Sequence, residues 1–188
     1  MTHRDEIFLA VSGSARQAST NTALLNAIAD AAPSGCRVEV YDRLAGLPVF
    51  SPDAEEYPLP APVADFVARV ERCDGLIISS PEYVRALPGG LKNAIDWLVS
   101  RDEIVFKPVV LVHASHRGND MLEQLRLVLS TVTRNFHPEL FLRFDLMKRT
   151  PREIGEVLAE PEKRRAVEDF LQAFARFCKA CRTEVSER

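Results

Sequence analysis

The chain has 188 residues, of which 46% are hydrophobic and 27% are charged, and its formal net charge is −3. This composition is typical of globular proteins, and the length predicts one domain, residues 1–188, that buries a core without disulfides or metals. Acidic and basic residues are interspersed, which argues against a nucleic-acid partner, and no stretch approaches the roughly 20 apolar residues that span a membrane.

Strand and helix patterns alternate in the first part of the chain. The continuous apolar run Ile7–Val11 predicts a strand buried on both faces, and apolar residues at helical spacing predict a helix over Asn21–Ala32. A second strand is predicted at Val38–Tyr41. Residues 44–62 hold five of the twelve prolines and predict a long loop, after which Val63–Cys73 is helical.

The alternation continues through the middle of the chain. Gly75–Ser80 predicts the third strand, Gly89–Leu98 a helix, Val109–Val112 the fourth strand and Leu140–Phe144 the fifth. The helix Asp120–Val132 is apolar on more than one side. Such a helix is either deeply buried or shared with a partner subunit.

Two helices are predicted at the end of the chain. The segment Thr150–Glu153 has the spacing of a capping box, with Pro151 at the first helical position. A last long helix begins near Pro161 and carries one apolar stripe. The stripe residues are Val167, Phe170, Leu171, Phe174, Phe177, Cys178 and Cys181.

Five strands alternating with helices predict an α/β fold, a three-layer sandwich around an open parallel sheet. With five strands, the flavodoxin-like order 2-1-3-4-5 is the natural choice. Ligands of such sheets bind beyond the carboxyl ends of the strands, where the strand order reverses between strands 1 and 3. We therefore expect the site to use the loops after Val11, Ser80 and His113.

The loop after the first strand is unusually polar. Residues 12–21 read S-G-S-A-R-Q-A-S-T-N, without a large apolar side chain. Hydroxyl and amide donors at a helix N-terminus, with an arginine that forks onto phosphate oxygens, favour a bound anion. The same residue types also cap helices without binding a ligand, and composition does not separate the two interpretations.

Common nucleotide and hydrolase motifs are absent from the sequence. A dinucleotide fingerprint needs G-x-G-x-x-G, of which only Gly13 is present in this loop, and a P-loop needs G-K-[ST], which does not occur. No G-x-S-x-G nucleophile elbow occurs either, so a serine hydrolase is not indicated.

The second loop carries a more specific pattern. Residues 80–97, SPEYVRALPGGLKNAIDW, closely resemble the signature of the NADPH-dependent FMN reductase family, P-E-Y-N-x-S-x-P-G-x-L-K-N-A-I-D-W. The family's first loop, G-S-x-R-x-x-S-x-N, is also matched, in the right order along the chain. The resemblance covers most of residues 1–135. It implies a flavodoxin-like FMN oxidoreductase that uses NADPH or NADH to reduce quinones, azo compounds, chromate or free flavin.

The resemblance also implies which residues bind FMN. The phosphate group is assigned to Ser14, Arg16, Ser19, Thr20 and Asn21. The ribityl chain and the ring are assigned to Pro81, Glu82, Tyr83 and Val84. The pyrimidine end of the ring is assigned to the third loop, Ser115, His116, Arg117 and Gly118. No metal and no catalytic side chain is expected, because the flavin carries the chemistry.

The chain departs from the family pattern near the reactive ring. Val84 stands where the family has Asn, and Ala86 where it has Ser, so the pocket is expected to be less polar. The third loop is bulkier and more basic than usual. One hypothesis is that His116 and Arg117 place positive charge near N1 of the reduced flavin. Under this hypothesis, Arg117→Ala lowers the midpoint potential. In the alternative both side chains point to solvent.

Several residues have simpler interpretations. Tyr83 is expected to pack beside the flavin, Glu82 to make a structural or subunit contact rather than to act as an acid catalyst, and His137 to be a structural histidine. The pair Cys178 and Cys181 has the C-x-x-C spelling but lies late in a helix, which does not favour redox function. The absence of a signal-peptide pattern and the core-like cysteines predict a cytoplasmic protein.

The resemblance also implies an oligomer. Relatives form dimers or tetramers with FMN near the interface, and the helices 88–98, with Trp97, and 120–132 fit such an interface. Three function classes remain: a reductase of a small-molecule acceptor, a flavodoxin-like electron carrier, and a flavin-binding protein with little turnover. The near-balanced charge argues against the carrier, because flavodoxins tend to be strongly acidic.

Overall fold

The computed structural model describes residues 4–56 and 58–186, and its centre is a parallel sheet. The strand order is β2-β1-β3-β4-β5, as predicted. The strands are β1 Glu6–Ser12, β2 Cys36–Tyr41, β3 Gly75–Ser79, β4 Val109–His113 and β5 Phe136–Arg143. The inner strands β1, β3 and β4 are apolar runs because both of their faces are covered.

Helices cover both faces of the sheet. They are α1 Thr20–Asp30, α2 Ala61–Arg72, α3 Gly89–Asp96, α4 Asp102–Val105, α5 Asn119–Val132, α6 Pro151–Leu158 and α7 Pro161–Ser186. The core side chains of α1, α6 and α7 pack on one face and those of α2 to α5 on the other. In the described ranges, no helix is both long and apolar enough to cross a membrane.

One predicted boundary was wrong, and one short helix was missed. The fifth strand begins at Phe136, not at Leu140, because an edge strand tolerates Pro138 and the ladder to β4 shifts register there. The short helix α4 was not predicted, and the proline-rich loop contains 3₁₀ turns at Leu44–Gly46 and Pro52–Glu55.

His137 lies inside the edge strand and has structural contacts, as predicted. Its ring packs edge-on against Phe177, with centroids 4.8 Å apart, and its Nδ1 accepts from the Leu140 amide at 3.2 Å.

The two helices expected at an interface each bury one face within the chain. Trp97 is fully buried, and its indole N–H donates to the Pro48 carbonyl at 2.8 Å, so its assignment to an interface was wrong. Asn93 also donates to that carbonyl, at 2.9 Å. Helix α5 buries one face, while Leu127 on another face is 69% exposed.

The amino-terminal edge of the sheet is closed by ion pairs with α7. Arg182 contacts the buried carboxylates of Glu6 and Asp74, with closest N–O distances of 2.7 and 3.0 Å. Cys178 and Cys181 in the same helix are buried, and burial raises the pKa of the Cys178 thiol. These cysteines therefore pack as core residues, as predicted.

Helix α7 approaches β3 most closely at Gly75. A Cβ atom there would lie 2.5 Å from Phe174 Cζ and 2.9 Å from Cys178 Sγ. We expect Gly75→Ala to lower the free energy of unfolding by about 1–3 kcal/mol, because the core would have to shift. Urea unfolding measures the change.

Gly155→Ala provides the matched control. A Cβ at Gly155 in α6 has no neighbour within 4 Å, so the helix should gain roughly 0.5–1 kcal/mol. Equal effects of the two substitutions would contradict the close packing of α7 on β3.

Candidate functional site

A cavity of about 370 Å³ lies at the carboxyl edge of the sheet. Its walls come from the loops after β1, β3 and β4, as the strand order predicted, and also from the loop after β5. A Cβ at Gly13 would lie 2.7 Å from Ser80 Oγ, so the first two loops approach each other closely.

A larger cavity, about 500 Å³, lies at the opposite edge beside the Arg182 ion pairs. None of the predicted site residues lines it. Its cations include Lys107, which already donates to the Cys73 carbonyl at 2.6 Å. We assign the candidate site to the carboxyl edge, where ligands of parallel sheets bind.

The first loop is held by its own polar groups. Ser14 Oγ accepts from the Arg16 amide at 3.2 Å. Ser19 caps α1, and its Oγ accepts from two amides of the first helical turn at 3.2 and 3.3 Å. Asn21 Oδ1 accepts from Ser79 Oγ at 2.9 Å. The acceptor atoms of the loop are thus engaged inside the protein.

The donors of the first loop remain available. The Ser14 and Ser19 hydroxyls that accept these bonds still carry protons to donate. In the described part of the chain, neither the Asn21 Nδ2 group nor the exposed Arg16 guanidinium has a partner. Donors and a positive charge at a helix N-terminus suit an anionic group such as a phosphate.

The second loop contains a tight hairpin turn. Tyr83 and Ala86 exchange two backbone hydrogen bonds at 3.0 Å. The two central residues are left-handed, with φ of 51° at Val84 and 59° at Arg85. This backbone is strained for a β-branched residue. Val84 is 98% exposed and Tyr83 half-exposed, and neither side chain lines the cavity.

Three contacts tie the second loop to the start of α5. Glu82 Oε2 accepts from the Met121 amide at 3.1 Å, at a helix end without a side-chain cap of its own. Arg85 pairs with Asp120 at 2.5 Å and holds the pKa of that carboxyl below its usual value. Gln124 donates to the Arg85 carbonyl at 3.0 Å. Glu82 therefore has the structural role that we predicted.

The third loop separates its two basic residues. The His116 ring lies 3.1 Å from Asp145, does not line the cavity, and lowers the pKa of that carboxyl by hydrogen bonding. Arg117 does line the cavity. In the charge hypothesis, His116 and Arg117 were expected to place positive charge near N1 of the flavin. Of these two residues, only Arg117 lines the cavity.

Two side chains from the sheet, Arg143 and His113, contact the third loop. Arg143 donates from Nε to the Ser115 carbonyl at 2.7 Å, and from Nη2 to the Arg117 carbonyl and Asn119 Oδ1, both at 3.0 Å. His113 Nε2 lies 2.6 Å from the same Arg117 carbonyl. A carbonyl only accepts, so Nε2 carries the proton. His113 Nδ1 is buried without a partner.

The structure brings together about half of the predicted site residues. Those that line the cavity are Thr20, Asn21, Pro81, Glu82, Ser115, Arg117 and Gly118. Those outside its wall are Ser14, Arg16, Ser19, Tyr83, Val84 and His116. The cavity residues that were not predicted are Ser80, His113, Ala114, Met147 and Lys148. His113 ends a buried strand, which was a usable signal, whereas no local pattern marks Met147 or Lys148.

The strain at Val84 predicts a stabilising substitution. Left-handed backbone costs a residue with a side chain roughly 1–2 kcal/mol, and Asn tolerates it best after Gly. We expect Val84→Asn to raise the free energy of unfolding by about 1 kcal/mol in urea unfolding. Val49→Asn is the control, because Val49 is 86% exposed without a positive φ. An equal gain there would contradict strain as the cause.

His113 predicts a pH dependence of stability. Burial lowers the pKa of its imidazole below the ordinary 6.5, partly opposed by the bond to the Arg117 carbonyl. As pH falls below 6.5, the unfolded chain takes up a proton that the folded side chain resists, so stability should fall. Urea unfolding between about pH 8 and pH 5 tests this. His113→Gln should show a shallower dependence; identical slopes would contradict the assignment.

Comparison with known proteins gives consistent matches. The family model of the NADPH-dependent FMN reductases matches residues 8–143. A quinone reductase of Escherichia coli is 30% identical over 155 residues, which are 78% of this chain and 81% of the relative. An NAD(P)H-dependent FMN reductase of Pseudomonas aeruginosa is 33% identical over 133 residues, 69% of this chain and 71% of the relative.

A solved structure supports the fold. The flavoenzyme FerB, an NAD(P)H:(acceptor) oxidoreductase from Paracoccus denitrificans, superposes with a TM-score of 0.72 at 22% identity, covering 93% of this chain and 98% of FerB. The family model spans β1 to β5 and includes the first three loops of the cavity. The chain therefore belongs to the NADPH-dependent FMN reductase family.

Proposed function

We propose that this protein binds FMN in the carboxyl-edge cavity and passes two electrons from NADPH or NADH to quinones. The single observation that carries the proposal is that the family's three loops meet at one cavity, where the Asn21 Nδ2 group and the Arg117 guanidinium have no partner in the described residues. The matched quinone reductase supports quinones as acceptors. Azo compounds, chromate and free flavin are further acceptors to be tested.

The first loop fits the phosphate end of FMN. Its acceptors are bonded internally, so Ser14, Ser19 and the Asn21 amide present donors, and Arg16 adds charge. Thr20 lines the cavity at the start of α1, where the helix dipole favours an anion. A charged phosphate would meet no unpaired carboxylate from this loop.

The second and third loops fit the flavin ring. Pro81 and Glu82 form one wall of the cavity, and Ser115, Arg117 and Gly118 form another. Tyr83 and Val84 stand apart from these walls, because the Tyr83 backbone N–H and carbonyl are bonded to Ala86 and both side chains are exposed outside the cavity. In the proposed function, these two exposed side chains form an apolar rim at the entrance that a second ligand would use.

Bound FMN supplies the hydride-transfer chemistry, while the protein binds and orients the reactants. The carboxylates around the cavity are already engaged. Glu82 accepts from an amide, Asp120 pairs with Arg85, and Asp145 pairs with His116. The proposal therefore assigns no proton transfer to a side chain.

We further propose that residues 1–188 form one FMN-binding domain in a cytoplasmic homodimer or homotetramer. The exposed Leu127 on α5 and Val84 at the hairpin tip are apolar side chains that a second subunit would cover. Trp97 takes no part, because it is buried within the chain.

The proposal predicts FMN binding that depends on Arg16 and rapid reduction by a nicotinamide cofactor. Arg16→Gln should weaken FMN binding about tenfold to hundredfold, because it removes a charged hydrogen bond worth about 1.5–3 kcal/mol. Flavin fluorescence measures the affinity. Anaerobic NADPH or NADH should then bleach the flavin absorption band of the wild type within the mixing time of a spectrometer.

Controls separate the remaining functions. Arg165→Gln removes an exposed arginine in α7 and should leave FMN affinity unchanged. A wild-type protein that binds no FMN would overturn the proposal. A stable one-electron-reduced flavin would favour an electron carrier, and tight FMN without bleaching would favour a protein with little turnover.

A further inference from the structure

The Arg117 carbonyl is fixed by two donors from the sheet. Arg143 Nη2 lies 3.0 Å from it and His113 Nε2 lies 2.6 Å from it. Arg143 also holds the preceding Ser115 carbonyl at 2.7 Å. A carbonyl oxygen has two lone pairs, so the Arg117 carbonyl is fully used. The peptide planes after residues 115 and 117 therefore have fixed directions.

The direction of these carbonyls determines where the following amides point. In a trans peptide the carbonyl and the next N–H point to opposite sides. The N–H of Gly118 therefore points away from the oxygen that Arg143 and His113 hold. Gly118 is buried and lines the cavity, and its N–H donates to no group in residues 4–56 and 58–186. Buried N–H groups rarely lack an acceptor, so this one suits a ligand.

Glycine is required at this position by the same contact. Gly118 has a φ of 92°, and a Cβ there would lie 2.9 Å from His113 Nε2. The histidine is neutral because its second ring nitrogen is buried without a partner and burial lowers its pKa. His113 therefore holds the third loop by a neutral hydrogen bond, and Arg143 supplies the only charge in these contacts.

We propose that Arg143 and His113 are positioning residues that aim the Gly118 N–H at the pyrimidine edge of bound FMN. The inference rests on the proposed function, in which the third loop borders that edge. Bound FMN would supply a two-electron couple whose reduced form carries added negative charge at the pyrimidine edge. An aimed N–H stabilises that charge and favours reduction.

This arrangement differs from the charge hypothesis for His116 and Arg117. His116 is bonded to Asp145 outside the cavity wall, so its ring does not face the ligand. Arg143 reaches the flavin only through the backbone that it orients. Its effect should therefore depend on the forked geometry of its guanidinium, which lysine does not reproduce.

The test measures the midpoint potential of bound FMN in two pairs of variants. Arg143→Lys keeps the charge without the fork, and Arg143→Gln removes both. Both should lower the affinity for reduced relative to oxidised FMN about tenfold, which is about 30 mV for a two-electron couple. His113→Leu should do the same. His113→Gln retains a donor near Nε2 and should stay close to the wild type.

Controls distinguish aiming from general structure. Arg152→Gln removes an exposed ion pair in α6 and should leave the potential unchanged. Urea unfolding of each apoprotein reports folding, and if the Arg143 variants do not fold, the His113 pair decides the outcome. A wild-type potential in Arg143→Lys and His113→Leu would overturn the positioning role.

Two other results also count against the inference. If Arg143→Gln lowers the potential and Arg143→Lys does not, Arg143 acts through its charge and not through the direction of the Gly118 N–H. If the variants of Arg143 and His113 lower the free energy of unfolding but leave the midpoint potential unchanged, both residues have only a structural role. Failure of the wild type to bind FMN would instead overturn the proposed function, and this inference with it.

Discussion

The crevice at the carboxyl edge exists because the chain leaves β1 and β3 toward opposite faces of the sheet. After β1 the chain enters α1, which packs with α6 and α7, whereas after β3 it enters α3 on the face shared with α2 and α5. Neighbouring loops that diverge leave a gap between them. Gly13 and Ser80 approach each other closely at the bottom of that gap. The residues proposed to contact the ligand surround the gap.

The fold was predictable because its strongest signals are local. The inner strands are buried on both faces and therefore read as apolar runs, such as Ile7–Val11. The capping box at Thr150 was confirmed, with its side chain bonded to the Glu153 amide at 3.3 Å. The start of β5 was not predictable, because Pro138 argues against a strand unless the strand is known to lie at an edge. Edge position is a property of the whole sheet.

The site was only partly predictable for a related reason. Motifs identified the loops, but the direction of a side chain depends on backbone conformation and on contacts that are distant in sequence. Val84 matches a ring-lining position by alignment, yet the left-handed turn aims it at solvent. Met147 and Lys148 enter the cavity only because β5 lies beside β4. Arg143 contacts the third loop across the same pair of strands.

The charges around the cavity explain how a chain with net charge −3 presents a site for an anionic cofactor. Pairing with Arg85 and hydrogen bonding to His116 lower the pKa of Asp120 and of Asp145, so both carboxylates are already engaged by neighbouring side chains. In the loops around the cavity, the side chains of Arg16, Arg117 and Lys148 have no partner in the described residues. Local pairing of carboxylates therefore lets an acidic chain present unpaired cations near the site, while exposed charges more than about 8 Å away are largely screened at physiological ionic strength.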